Sequence, residues 1–486
     1  TMLGGANVLT ILAIGLSGAV ATADRYVVSF MPRVSSPGAE MDEESSHAAA
    51  IAQRDRVLAS THLAAAHVHH RLDHVFVGFI ADLTEEQVDH MRRLDGVLVA
   101  TDSPMGNPFP PRRSRNLERP SRRLYGWGMG QGKDTGQGEG KSGNDLREFP
   151  SSSWALRALS FSEADSPVYH GVGGCNTTVY VLDTGIDATH PEFEHTTITG
   201  VDFYTNGTGT DGGRPADPVV DGHWHGTACA SLIAGYRNGV AACANLVSVR
   251  VIGPDGSAVY SDVVAAVEWV LAHDAGTNRK VISMSFGCVV GAADCLPNNW
   301  RARRMLRNLE RAVRRANVVA VAATHHTRTR QCNAIPAGLR GVISVGAVDQ
   351  RDRALDFEDC VDVFAPGVHV EASLPFAGMP YYNVTGTSFA CAYTAGVIAQ
   401  LLSTFPRLPA FRALHALRRI GLETDIFLPR AQPDGEVEYT VSKKLFVVQA
   451  LRRDIVLAGN EEDDDDDDDD GVSNSNDDDD CFRRSN

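Results

Sequence analysis

Three residues of this 486-residue chain have side chains that could together carry out acyl transfer. Asp183 ends the run TVYVLD, His225 lies in DGHWHGTACASLIAG, and Ser388 lies in VTGTSFACAYTAGVIA. A serine hydroxyl is a poor nucleophile until a neighbouring imidazole accepts its proton. The imidazole in turn needs a carboxylate to fix its tautomer and stabilise its charge. Taken singly, each residue has a plain alternative: an Asp in a turn, a His near a helix cap, a Ser as the capping residue. Together they make a set of nucleophile, base and orienter.

Such a set needs elements that deliver side chains to one edge. Past Trp154 the texture is one of short β-rich runs alternating with amphipathic helices, the signature of an α/β fold with a parallel sheet covered on both faces. The expected strands are 178–183, 246–252, 281–287, 318–323 and 341–348. Val263, Val267, Val270 and Leu271 line one helical face, and Met305, Leu309, Ala312 and Val313 another; at this spacing they are core packing. In such sheets working residues lie at the carboxyl ends of strands and at the helix starts that follow. Asp183 ends a strand, and His225 and Ser388 open helices.

The rest of the chain divides by composition. Residues 25–104 read as strand, His-rich helix, strand, helix, strand, enough for a small α+β domain. Residues 105–150, rich in Arg, Gly and Pro, read as a flexible linker, and 151–455 as the main domain. Residues 1–23 resemble a secretory signal peptide, with an apolar run from Val8 to about Val20 that is short for a bilayer span. Residues 456–486 form an acidic tail that can bury nothing and is expected to be disordered.

The net charge of −16 is mostly the tail's: its fourteen Asp and Glu against two Arg supply −12, leaving −4 for everything else. A folded part so weakly charged argues against nucleic acid as a partner. Nine cysteines fit an oxidising compartment, and the odd number leaves at least one unpaired. Asn176, Asn206 and Asn383 each open a triplet that permits glycosylation there. The expectation is a secreted or secretory-pathway protein, monomeric and without a stable membrane span.

Order and flanks make the set specific. The chain order Asp, His, Ser with flanks DTG, HGT and GTS, together with Trp154-Ala-Leu-Arg, DTGIDATHPEF, HGTACA, SFG at 285–287, VDVFAPG at 361–367 and GTSFA, resembles the subtilisin-like serine proteases, in the proteinase K branch. The resemblance covers about 150–450, and 25–104 resemble the inhibitory propeptide of that family. It implies a subtilisin-like fold and a serine endopeptidase made as a zymogen. Asp183, His225 and Ser388 would be the triad, His325 and the Ser388 N–H the oxyanion-hole donors, and Ser285, Phe286, Gly287, Ala323 and Thr324 the substrate-binding residues. The partners implied are a protein or peptide substrate and the chain's own propeptide. No cofactor is required, and structural calcium is allowed for, with Asp362 at a place resembling one ligand.

Three departures bear on that expectation. Where the family has Gly-Asn after the strand corresponding to VAVAA, this chain has Thr324-His325. Losing one oxyanion donor costs about 10²- to 10³-fold in rate, yet a histidine still carries an N–H. A donor gained by protonation would raise activity below about pH 6.5 until the base His225 itself is lost. Thr324 adds a β-branched side chain at the primary specificity pocket, which favours small residues at the cleavage site. After Ser388-Phe-Ala the family has Thr-Pro, and this chain has Cys391-Ala392.

The resemblance also implies a disulfide between Cys332 and Cys360. Cys288 and Cys295 are close enough in sequence to close a loop, and Cys229 and Cys391, each one helical turn beyond the site, are expected as buried free thiols. HVHH at 67–70 is expected as a helix face, not a metal site. Two readings stay open: an active endopeptidase, or a subtilisin-fold pseudoprotease that uses its cleft as a docking surface.

Overall fold

The computed structural model describes residues 24–30, 43–60, 63, 66–102, 147–150, 153–159, 168–171, 173–204, 214–215, 220–276, 279–289, 300–324, 334–355, 361–375, 381–431 and 437–447. The leader, the linker up to residue 146, the acidic tail, His325, Cys332 and Cys360 lie outside the described residues.

The main domain is built on a ten-stranded sheet. Its order is Leu422–Ala431, Val437–Val447, Val363–Pro366, Val342–Val348, Val319–Ala323, Lys280–Met284, Thr178–Asp183, Asn245–Arg250, Ile198–Asp202, Arg214–Pro215. Neighbours pair in parallel throughout, except for an antiparallel strand added at each edge. The five strands expected from sequence are all present. Two of them end earlier than the apolar runs suggest, at Arg250 and Met284, so Ser285–Gly287 have already left the sheet. Strand Thr178–Asp183 lies between Asn245–Arg250 and Lys280–Met284, so the chain winds outward from it in both directions. That reversal opens a crevice at the carboxyl end of the strand, where Asp183 stands.

Alternation along the central strand divides the core. Val179 and Val181 face a cluster built with helices His225–Ala234 and Thr387–Thr404, while Tyr180 and Leu182 face one built with helices Tyr260–Ala272 and Trp300–Arg315. Both faces are therefore apolar, each buried Val or Leu contributing about 1.5–3 kcal/mol. Helices His225–Ala234 and Thr387–Thr404 are themselves buried almost all round, which explains their lack of a polar stripe. A disulfide joins Cys175 to Cys243 just before two neighbouring strands; closing a 68-residue separation stabilises by about 4 kcal/mol in the chain-entropy account.

Residues 24–101 form a separate four-stranded antiparallel sheet, ordered His67–Leu72, Gly78–Leu83, Asp24–Phe30, Val97–Thr101, with helices Glu43–Leu58 and Glu85–Arg93. The second helix starts with a capping box between Thr84 and Gln87. HVHH corrects the expectation of a helix face: it begins a strand, and His69 is buried with Nε2 at 2.8 Å from Asp82. Histidine spacing alone carried no helical period, and the adjacent strand supplied the ladder. Arg147–Pro150, expected inside the linker, pairs antiparallel with Val168–Gly171.

The two units meet through carboxylates. Glu268, on helix Tyr260–Ala272, accepts from the backbone N–H groups of Asp73, His74 and Val75 at 2.6, 2.7 and 2.6 Å. Asp102 accepts from Ser261 N and Oγ at 3.0 and 2.6 Å, filling the cap that Val259 leaves open at the start of that helix. Among the described residues no helix is long and apolar enough to cross a membrane.

Candidate active site

Asp183, His225 and Ser388 arrive at one buried place by three routes. Asp183 is the last residue of the central strand, His225 the first of its helix, and Ser388 the second of the helix Thr387–Thr404. The helices can approach because the positions beside the functional residues are small. A Cβ on Gly226 would lie 2.1 Å from the Gly185 carbonyl oxygen, so only glycine lets the His225 helix dock on the strand end.

His225 Nδ1 lies 2.9 Å from Asp183 Oδ1 and 3.0 Å from Oδ2, with both side chains almost fully buried. Two carboxylate oxygens at that range fix Nδ1 as the protonated nitrogen, leaving Nε2 as the acceptor a base needs. Thr184 N also donates to Asp183 Oδ1 at 2.8 Å, which holds the carboxylate's rotamer. Ser388 shares the site: the Cys229 thiol lies 4.0 Å from both His225 Nε2 and the Ser388 carbonyl oxygen, and the Phe389 ring is 5.6 Å from the His225 ring. The Ser388 hydroxyl donates to the Ser285 carbonyl at 3.0 Å, and Ser285 Oγ donates back to the Ser388 carbonyl at 3.0 Å. The Ser388 N–H lies in the first turn, where an α-helix has no internal acceptor to offer.

Ser285, Phe286 and Gly287 run on from strand Lys280–Met284 and are buried; a Cβ on Gly287 would meet the Ile335 carbonyl at 2.8 Å. Ala323 ends its strand and Thr324 follows it, 5% exposed. The Thr324 hydroxyl donates to the Val345 carbonyl at 3.2 Å, and its own carbonyl accepts from Thr387 Oγ1 at 2.6 Å. Strand Val319–Ala323 and helix Thr387–Thr404 are thus tied at the residue before His325. His223 is a half-buried loop residue stacked on Trp224, its pKa lowered chiefly by burial.

Two thiols lie beneath the site. Cys229 and Cys391 are free and buried. Burial pushes the Cys229 thiol well above its ordinary range and the Cys391 thiol up to about 12. Cys288 is disulfide-bonded to a partner outside the described residues. Spacing gave no hint of the Cys175–Cys243 bridge, because sixty-eight residues separate two strand starts that only the sheet makes neighbours.

Asp362 is engaged by Ser344 and Arg418. Its Oδ2 accepts from Ser344 N and Oγ at 3.1 and 3.2 Å, and its Oδ1 takes the Arg418 guanidinium at 3.2 Å, which also donates to the Asp362 carbonyl.

A family model, the subtilase family of peptidases, matches residues 174–424. A cuticle-degrading serine protease of Arthrobotrys oligospora is 33% identical over 264 residues, covering 53% of this chain and 60% of that protein. Alkaline protease 2 of Aspergillus fumigatus is 31% identical over 275 residues, covering 55% and 53%. A crystal structure of a cold-adapted subtilisin-like serine proteinase aligns with 62% of this chain and 98% of that one, at 24% identity and a TM-score of 0.48. The matching region spans about 60% or less of the curated relatives' own length.

Proposed function

This chain belongs to the subtilase family, and from that premise we propose that it is a serine endopeptidase, cutting protein or peptide substrates through an acyl-enzyme at Ser388. The observation that carries the reading is the buried bond between His225 Nδ1 and both oxygens of Asp183, with Ser388 in the same site. In this mechanism the Ser388 hydroxyl turns from the Ser285 carbonyl to His225 Nε2 and gives up its proton as its oxygen attacks the scissile carbonyl. Catalytic hydrogen bonds commonly tighten only when substrate arrives. His225 then carries the proton to the leaving amine, Asp183 stabilising the imidazolium. The Ser388 N–H and His325 receive the oxyanion. No cofactor is required by this chemistry.

The reading extends to a zymogen. Residues 24–102 act as an inhibitory propeptide, supported by the carboxylate contacts of Glu268 and Asp102 across the two units. The protein is secreted or held in a secretory organelle and acts as a monomer.

A second reading, a pseudoprotease that binds through its cleft, is favoured by one observation: Thr324-His325 replaces the donor-bearing pair of the family. A fluorophosphonate probe decides between them. Labelling of the wild type, after release of residues 24–102, that is lost in Ser388→Ala supports the enzyme. Absence of labelling in the released wild type supports the binder.

A further inference from the structure

His225 opens a helix that its own preceding residue does not cap: Trp224 makes no side-chain hydrogen bond to it and has φ 117°, ψ −25°. A non-glycine residue in that region costs about 1–3 kcal/mol and persists only where its surroundings hold it. What holds it is Asp221, four residues before His225. Its Oδ1 accepts from His223 N at 2.9 Å, Trp224 N at 2.8 Å and Thr184 Oγ1 at 2.8 Å. Its Oδ2 accepts from Thr227 N at 2.9 Å and Thr227 Oγ1 at 2.7 Å.

These five donors come from both sides of the His225–Asp183 contact. Thr184 is the residue after Asp183, its N–H donates to the Asp183 carboxylate, and its Oγ1 accepts from Gly226 N at 2.9 Å. Thr227 lies one residue past Gly226, and its Oγ1 accepts from Asp187 N at 2.9 Å. One carboxylate therefore binds the end of the Asp183 strand to the first turn of the His225 helix, with the strained Trp224 backbone locked between them. Neither threonine can be moved without pulling on that one carboxylate, Thr184 through Oδ1 and Thr227 through Oδ2.

We propose that Asp221 is a positioning residue of the catalytic unit: by clamping Thr184, Thr227 and the 223–224 turn to one carboxylate, it sets the registry of the His225 ring against Asp183. This rests on the protease reading above. Asp221 touches no reacting atom, and its effect passes through the placement of His225.

Asp221→Asn keeps the shape and one acceptor oxygen but turns an amide NH₂ toward N–H or O–H donors. The expected result is a fall of about 10²-fold in kcat, counted per fluorophosphonate-titrated site, with KM unchanged, since a misplacement of about 1 Å carries that penalty. Retained kcat overturns the proposal. So does a loss that appears only as fewer titratable sites with a lower melting temperature, the mark of a cap that merely stabilises. Should Asp221→Asn not fold, Thr184→Val decides on the same readout: lowered kcat at constant KM supports, unchanged kcat overturns. The low-field proton resonance of the His225 Nδ1–H bonded to Asp183 needs no turnover. If the wild type proves inactive, the protease reading fails, while displacement of that resonance in Asp221→Asn still supports the clamp and an unmoved resonance still overturns it.

Discussion

Ser285 and Ser388 exchange two hydrogen bonds of 3.0 Å, each hydroxyl donating to the other's main-chain carbonyl. The pair fixes the start of the serine helix against the segment leaving strand Lys280–Met284. It also turns the Ser388 proton to the Ser285 carbonyl, so the proposed mechanism needs the hydroxyl to rotate toward His225. Ser285→Ala removes the donor to the Ser388 carbonyl while leaving the acceptor for the Ser388 hydroxyl. We expect a stability loss of about 1 kcal/mol and, with the helix start loosened, a fall in kcat of up to about tenfold. Thermal melts and steady-state kinetics on released enzyme measure both; an unchanged kcat would show that the reciprocal pair is only structural.

Thr324 presents its hydroxyl to the neighbouring strand and brings a β-branched side chain to the edge of the site. Thr324→Gly is expected to raise kcat/KM for peptides with a large apolar residue at the cleaved position by about tenfold or more, relative to those with alanine there. A peptide library cleaved by both forms checks this, and an identical preference would remove Thr324 from the specificity pocket.

Glu268 spends its whole carboxylate on three backbone N–H groups of the N-terminal unit. Glu268→Gln halves the acceptor oxygens and removes the charge, so the released N-terminal unit should inhibit at least about tenfold more weakly, by analogy with charge-assisted bonds at about 1.5–3 kcal/mol. An inhibition constant equal to that of the wild type would mean that this contact does not hold the unit on the enzyme.

The buried thiols set an alkaline limit. Burial pushes the Cys391 thiol up to about 12 from an ordinary value of 9.0, and pushes Cys229 the same way. From about pH 9 upward the unfolded chain binds fewer protons than the folded one, so stability falls as pH rises through that window and is unaffected below it. Denaturant melts from pH 7 to 11 should show this decline, lessened in Cys229→Ala and Cys391→Ala. At pH 8 a thiol reagent should label neither cysteine until the protein unfolds.

Much of the site was legible because each functional residue stands in a short motif whose neighbours have a mechanical reason. The apolar run TVYVLD had to be a buried strand, and Gly226 had to be small for the His225 helix to reach it. What the sequence hid was long-range. Asp221 shows nothing in the sequence until Thr184 is seen across from it, and the contact of Asp362 with Arg418, fifty-six residues away, leaves no mark near either residue. Cys175 and Cys243 become neighbours only through parallel pairing of their strands. HVHH misled because its partner strand, Gly78–Leu83, and a bulge between Val68 and His70 decide which imidazole is buried.

On the protease reading, Asp183, His225 and Ser388 act as one unit. It is tested most directly by measuring kcat for Ser388→Ala, His225→Ala and the double variant beside the wild type, all freed of residues 24–102. Each single change is expected to lower kcat by about 10⁶-fold, with the double variant no worse than either alone. Losses that multiply in the double variant, or a freed wild type that turns over no faster than Ser388→Ala, would contradict it.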